Sequence, residues 1–345
     1  MFIKTLKWLA LVALAIFLSG CFDQDKQQIQ VKLQGRTMGV AYHITYIDSA
    51  KNSEKVARAR KKQIDVLLEI VNDQMSTYRA NSELSRFNQS SAITPFEVAE
   101  DTALVVKEAI RLAELSDGKL DVTVGPLVNL WGFGPQMKPE RLPSPQALAT
   151  AKAMVGIEHL AVVDNTLIKS KPELYVDLST IAKGFGVDKI SRYLEAEGVS
   201  NYLVEIGGEV RSNGKPNPLR DWIIAIEKPV SEHRAIQQAI SPKNNGLATS
   251  GDYRQYFEEN GQRFSHIIDP DTAMPIDHKL VSVTVIHPSS MTADGLSTAI
   301  MLMGPDDGLE FARAQTLAAF LIIKTDKGFE EVYTNAFKPY LVATP

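Results

Sequence analysis

Residues 54–75, EKVARARKKQIDVLLEIVNDQM, place Ile64, Leu67, Leu68, Val71 and Met75 at helical spacing behind a basic first half, which predicts an amphipathic helix. The same period over 97–115, EVAEDTALVVKEAIRLAEL, closes at Ser-Asp-Gly and predicts a second. LYVDL (174–178), YLVEIGG (202–208), DWIIAIEKP (221–229) and LVSVTVIHP (280–288) read as strands, each stopped by Gly, Pro or a polar turn. The later part of STIAKGFGVDKISRYLEAEG (179–198) is an amphipathic helix, and GPDDGLEFARAQ (304–315) starts another. WGFGPQMKPERLPSPQ, 131–146, is rich in Gly and Pro and reads as a long loop. Helices and strands mix without strict alternation, so the pattern predicts an α+β fold rather than a doubly wound sheet.

The first twenty residues follow a different rule. MFIKTLK is a short positive segment, WLALVALAIFL an apolar core of signal-peptide length, and LSGC ends it with small residues before Cys21. Cys21 is the single cysteine of the chain, so an internal disulfide is excluded, and it stands where a bacterial lipoprotein carries its acyl chains, palmitate among them. The polar FDQDKQQIQ after it suits a tether. The expected organisation is therefore a lipoprotein signal over 1–20, a lipidated Cys21 with a tether over 21–34, and one folded domain over 35–345. No stretch after residue 20 is long and apolar enough to cross a bilayer, which leaves the lipid as the expected membrane attachment, on the periplasmic face of the inner membrane.

Composition changes this picture little. The chain has 345 residues, 44% hydrophobic and 23% charged, enough for a large core. Its formal charge of −4 becomes more acidic once Lys4 and Lys7 leave with the leader, which argues against nucleic acid as a partner.

Three polar stretches carry candidate chemistry. In VDLSTIAKGFGVDK, Asp177 ends an expected strand, and Lys183 and Gly184 open a helix. That order suits a phosphate, and equally an ordinary strand-to-helix turn with a capping serine. In RFSHIIDPDTAMP, His266 is either a general base or a structural histidine bonded to backbone. In MTADGLSTAIM, Asp294 and Thr298 lie one helical turn apart. They are either first-turn helix chemistry behind an N-cap at Thr292, or two oxygen ligands for magnesium, which takes few protein ligands and adds water and substrate phosphate. No histidine pair has zinc-ligand spacing.

Together, MGV (38–40), MSTYRANSELSRFN (75–88), DGKLDVTVGPL (117–127), VDLSTIAKGFGVDK (176–189), YLVEIGGEV (202–210), ATSGDYRQYF (248–257), SHIIDPDTAMP (265–275) and MTADGLSTA (291–299) occur in the order found in ApbE-type FAD:protein FMN transferases. The sequence resembles that family from about residue 35 to its end. The resemblance implies an α+β, T-fold-like architecture of two interleaved lobes with an FAD cleft between them. It implies FAD as substrate, Mg²⁺ as cofactor, and transfer of FMN to a threonine or serine hydroxyl of a membrane redox protein, of the Rnf or sodium-translocating NADH:quinone oxidoreductase type, with release of AMP.

Residue by residue, the resemblance implies metal ligation by Asp294, Thr298 and the Thr180 carbonyl, and catalysis by His266 as base with Lys183. It implies FAD contacts at Met38, Tyr78, Lys119, Leu120, Asp121, Asp177, Lys183, Ile268 and Ser297. Val40 stands where the family usually has threonine, Ala273 where glycine is usual, and DGLST replaces the commoner DALAT. The alternatives are a magnesium-dependent FAD pyrophosphatase, which would use the same ligands, and a flavin-binding lipoprotein without activity. Tyr78 favours transfer, since related hydrolytic members tend to carry a smaller polar residue there.

Overall fold

The computed structural model describes residues 28–49, 53–135, 142–229, 236–253, 255–259 and 261–342. The expected leader, Cys21 and the first part of the tether lie outside these residues. Two strands, β1 (Gln28–Thr37) and β2 (Val40–Ser49), pair over their full length around a two-residue turn in which Met38 and Gly39 both have positive φ. That geometry matches the right-handed twist of the flanking strands. Among the described residues β1 thus takes in part of the expected tether, because Ile29, Val31 and Leu33 alternate with polar residues and lie half-buried along the sheet.

Next come α1 (Ser53–Met75), α2 (Glu83–Gln89), β3 (Phe96–Glu97), α3 (Glu100–Leu115), α4 (Gly125–Leu130), α5 (Pro145–Lys152), β4 (Leu160–Val163) and β5 (Thr166–Lys169). The chain continues through α6 (Ala182–Ala196), β6 (Tyr202–Ile206), β7 (Glu209–Asn213), β8 (Ile224–Glu227), β9 (Ile236–Ile240) and β10 (Gly246–Gly251). It ends with β11 (Tyr256–Glu259), β12 (Gln262–Ser265), β13 (Leu280–His287), α7 (Ser290–Met303), α8 (Pro305–Ala314), β14 (Ala318–Thr325) and β15 (Gly328–Tyr333).

Eight strands form one antiparallel sheet in the order β1-β2-β6-β7-β10-β13-β14-β15. Helices cover one face, and β8, β9 and the 3₁₀ turn Asn335–Tyr340 cover part of the other around Val210, Leu247, Ile286 and Phe320. β13 is consequently buried on both sides, which is why LVSVTVIH reads as an almost unbroken apolar run. In α1, Ile64, Leu68, Val71 and Met75 are the buried stripe, as the spacing predicts, while Val66 and Ile70 face water.

The second lobe consists of α2–α5, the small sheet β3-β5-β4 and the β11-β12 hairpin. A shared apolar cluster ties it to the main sheet, with Leu112 of α3 and Leu120 meeting Leu296 and Ile300 of α7 and Val283 and Val285 of β13. The lobes interleave because residues 53–175 intervene between β2 and β6, two strands that pair directly in space.

One expected strand is not a strand. In LYVDL, Leu174, Val176 and Leu178 are buried with the alternation of a strand. The Asn88 amide stands where a neighbouring strand would be. Its Oδ1 accepts the Val176 N–H at 2.8 Å, and its Nδ2 donates to the Val176 carbonyl at 2.8 Å. The Asp177 N–H donates to the Val122 carbonyl at 2.7 Å, so the segment's backbone is satisfied without a ladder.

Candidate functional site

α6 and α7 cross with almost no space between them. A Cβ on Gly184 would collide with the Ser290 carbonyl, so only glycine permits this approach. The crossing brings the start of α6 beside the second turn of α7. There the Asp294 Oδ2 accepts the Gly184 backbone N–H at 3.0 Å, a bond across 110 positions of sequence. Helix starts leave their first amides without intrahelical partners, and Asp294 satisfies one of them.

Asp294 is 3% exposed. Its Oδ1 lies 3.8 Å from the Lys183 ammonium, which also pairs with Glu209 Oε1 at 2.8 Å. Glu209 opens β7, is equally buried, and keeps its Oε2 without a hydrogen-bond partner. Two carboxylates against one ammonium leave a buried negative excess. Burial pushes the Asp294 carboxyl up to about 7, with Glu209 adding to the rise and Lys183 opposing it.

One turn further along α7, the hydroxyls of Ser297 and Thr298 point back to the Asp294 carbonyl at 2.9 and 3.3 Å. Ser250 Oγ of β10 lies 2.8 Å from Ser297 Oγ and 3.0 Å from Thr298 Oγ1, making a small hydroxyl cluster one helical turn beyond Asp294. The Thr180 hydroxyl, just before α6, is buried without a partner. This donor set is hard oxygen throughout: a carboxylate, hydroxyls and a nearby carbonyl. Among the described residues no three His, Cys, Asp or Glu side chains form a ready cage. A low count of oxygen ligands with unbalanced negative charge fits magnesium, which retains water and binds through one or two carboxylates.

Two local expectations are corrected here. The N-cap of α7 is Ser289, whose Oγ accepts the Thr292 N–H, and Thr292 instead donates its hydroxyl to Glu108 at 2.6 Å. Asp294 therefore sits beyond the first turn, and helix-end stabilisation does not account for it. At α6, the expected row of free amides is also partly spent. The Ala182 N–H donates to the Leu178 carbonyl at 2.8 Å and the Gly184 N–H to Asp294. The positive side chain at this end is Lys183, itself paired with Glu209.

His266 follows β12 at the mouth of the second lobe. Its Nδ1 lies 3.0 Å from the Gln255 carbonyl, which can only accept, so Nδ1 carries the proton and Nε2 presents a lone pair. Burial holds the ring below the usual histidine range, the Gln255 bond opposes that, and the charge of Lys183 adds to it. Phe133 packs edge-on against His266 at 6.3 Å between centroids, and its carbonyl lies 3.4 Å from the Tyr78 hydroxyl. Tyr78 is 67% exposed, an aromatic plate standing free in water. Burial of its hydroxyl end, with the charge of Asp177, raises its pKa.

The other expected ligand positions have local partners of their own. Met38, at the β1-β2 turn, packs toward Gly186 one turn after Lys183. The Asp177 Oδ1 accepts the Ser179 N–H at 2.9 Å and its hydroxyl, which fixes the turn before α6. The Asp121 carboxylate accepts the Thr123 N–H at 2.7 Å and hydroxyl at 2.6 Å. Lys119 reaches across the lobe to Asp271 at 2.7 Å and Asp269 at 3.5 Å. The side chains of Leu120 and Ile268 are in the core, Leu120 against Gly295 and Ile268 among Trp131, Phe264 and Ala273.

Sequence reasoning missed Glu209, Ser250, Phe133 and Asp188. A charged residue following two glycines and opening a buried strand is the one signal that marked Glu209. Ser250 and Phe133 had none beyond their neighbours.

The ApbE family profile matches residues 38–321. A FAD:protein FMN transferase of Vibrio cholerae is 52% identical over 334 residues, covering 97% of this chain and 98% of that protein. One from Haemophilus influenzae is 49% identical, with 97% of each chain covered. Among solved structures, the flavin transferase ApbE from Vibrio cholerae superposes with a TM-score of 0.84 at 52% identity, covering 91% of this chain and all of that one. The apo flavinyl transferase ApbE of Pseudomonas stutzeri gives 0.84 at 38% identity, covering 92% of this chain and 99% of that one.

Proposed function

Since the chain belongs to the ApbE family and matches its FAD:protein FMN transferases over nearly their whole length, we propose that it transfers FMN from FAD to a hydroxyl of a protein acceptor, with magnesium as cofactor. The observation that carries the reading is the buried group of Asp294, Glu209 and Lys183 at the crossing of α6 and α7, with its unbalanced negative charge.

Asp294, Thr298 and the Thr180 carbonyl are the residues that would hold magnesium, with Ser250 and Ser297 fixing the Thr298 hydroxyl. When bound, the ion supplies positive charge for the FAD pyrophosphate, which otherwise repels an incoming nucleophile. Lys183 brings a second positive charge beside the same phosphates and is itself steadied by Glu209. His266, with Nδ1 committed to Gln255, takes the acceptor hydroxyl's proton at Nε2. The hydroxyl oxygen forms a bond to the FMN phosphorus, the pyrophosphate bond breaks, and AMP leaves with that bond's electron pair. Tyr78 offers a face for a flat ring system at the cleft edge.

The acceptor class follows from the resemblance: a threonine or serine in a membrane redox subunit of the Rnf or sodium-translocating NADH:quinone oxidoreductase type. The lipid on Cys21 would keep the domain at the periplasmic surface of the inner membrane, where such subunits reside. The test is intact mass of an acceptor domain bearing that threonine after incubation with the full chain, FAD and Mg²⁺. A gain of one FMN with release of AMP, abolished by chelator, is expected. Free FMN and AMP with an unmodified acceptor would replace transfer by hydrolysis.

A further inference from the structure

The strand registers divide the main sheet into two ends. At one lie the Met38-Gly39 turn, the Gly207-Gly208 turn and, beside them, Lys183 and Glu209. At the other, Gln28 pairs with Ser49, Tyr46 with Tyr202, and Tyr202 with Asn213, from which the loop 214–223 departs. The ten residues of β1 separate the two ends by roughly 30 Å.

The loop at the far end, GKPNPLRDWI, is built to be stiff. The Asn217 Oδ1 accepts the Leu219 N–H at 3.0 Å, and the Arg220 N–H donates to the Asn217 carbonyl at 3.3 Å, closing a turn with Pro218 in its middle. The Trp222 indole N–H donates to the Asn213 carbonyl at 3.0 Å, and Lys215 pairs with Asp221 at 3.2 Å. This frame displays Leu219 at 94% exposure, with Ile223 half exposed beside it. Below the turn is a concavity of about 640 Å³, lined by Gln28, Gln30, Ile47, Pro218, Trp222 and Ile223. Among the described residues Leu219 is not part of any apolar cluster, and the neighbouring Arg220 suits anionic headgroups.

Where the chain enters the domain decides the occupant. Gln28, the first residue of β1, is a wall of this concavity. Cys21 is seven residues upstream, a span of roughly 25 Å at full extension. We propose that this end of the sheet is the membrane-facing surface of the protein, with Leu219 inserted as an apolar wedge at the lipid headgroup level. The proposal rests on the reading of Cys21 as the lipid anchor. In this orientation the start of α6 and α7 is held about a strand's length, roughly 30 Å, above the bilayer, facing proteins that project from it.

The test uses the full acylated chain in vesicles of phosphatidylethanolamine and phosphatidylglycerol. Leu219→Cys, and separately Ile223→Cys, carries an environment-sensitive fluorophore, with the exposed Val163 of the second lobe labelled as Val163→Cys for comparison. Blue-shifted emission quenched by spin-labelled lipid at 219 and 223, but not at 163, is expected. Water-like emission at 219 and 223 in protein that floats with the vesicles overturns the membrane-facing surface and leaves the anchor standing. Protein that does not float at all overturns both. Transfer of FMN to a soluble acceptor domain should be unchanged by Leu219→Asp, which separates this surface from the reaction itself.

Discussion

The Asp188 carboxylate of α6 accepts the backbone N–H of Ser290, the first residue of α7, at 3.0 Å. The same carboxylate also accepts from the Met291 N–H at 3.1 Å, the Ser289 hydroxyl at 2.7 Å and Arg211 at 2.9 Å. One buried side chain thus fixes the start of the helix that carries Asp294, while Gly184, one turn earlier on α6, holds Asp294 itself. Asp188→Asn keeps the volume but turns one acceptor into a donor facing donors. A loss of about 2 kcal/mol, seen as a Tm lower by roughly 5 °C, is expected by thermal unfolding.

Asp294 is a different case, because its burial opposes its own charge. Asp294→Asn should retain the fold and, without magnesium, be no less stable than the parent at pH 8. FMN transfer should fall by roughly 100-fold or more, as for removal of a principal charge-stabilising group. Wild-type turnover in this variant at limiting magnesium would overturn the ligand assignment.

Gly184→Ala places a methyl group against the Ser290 carbonyl. Backbone cannot swing away as a flexible side chain would, so the two helices must part. A destabilisation of about 1–3 kcal/mol is expected in urea unfolding, together with loss of transfer activity. Preserved activity at parental stability would show that the crossing has slack.

His266 and His287 are both held below the usual histidine range, in each case chiefly by burial. Between the ordinary pKa and the lowered one, the unfolded chain binds protons that the folded chain refuses. Stability therefore rises with pH through that interval: it is full above about 6.5 and is lost as pH falls. Urea midpoints across pH 5 to 8 should show this slope, flattened in His287→Gln. For catalysis at saturating magnesium, which holds the Asp294 carboxyl ionised, a neutral His266 means that kcat/KM keeps its value as pH falls to 6.5 and declines only below it. His266→Ala should slow transfer by roughly 100- to 10,000-fold.

Tyr78 stands exposed and contributes little to the core. Tyr78→Ala should leave Tm unchanged and raise KM for FAD by roughly tenfold, as expected for loss of one stacking face. A lowered Tm with unchanged KM would assign the ring a structural role instead.

The helices were legible because burial enforces their period. The stripe of Ile64, Leu68, Val71 and Met75 is the face that α1 buries. LYVDL misled because alternation reports which side chains are buried and says nothing of who satisfies the backbone; here the Asn88 side chain serves Val176 from 88 positions away, and the Val122 carbonyl serves Asp177. At the site, Asp294, Thr298, Lys183 and His266 stood out as polar groups in motifs. Glu209 and Ser250 belong to the same centre, yet their roles arise from strand order. Nothing local in EIGGEV or ATSGDY reveals that β7 and β10 become neighbours that face α6 and α7.

The bond from Gly184 to Asp294 has one more effect, on when the protein becomes competent. α7 rests on β10 and β13, and β13 needs β14, which is made still later. A growing chain therefore possesses its lysine more than a hundred residues before its carboxylate. A chain that ends before β14 lacks the strand against which β13 pairs, and with it part of the support for α7. The centre is therefore completed last, when the C-terminal strands close the sheet.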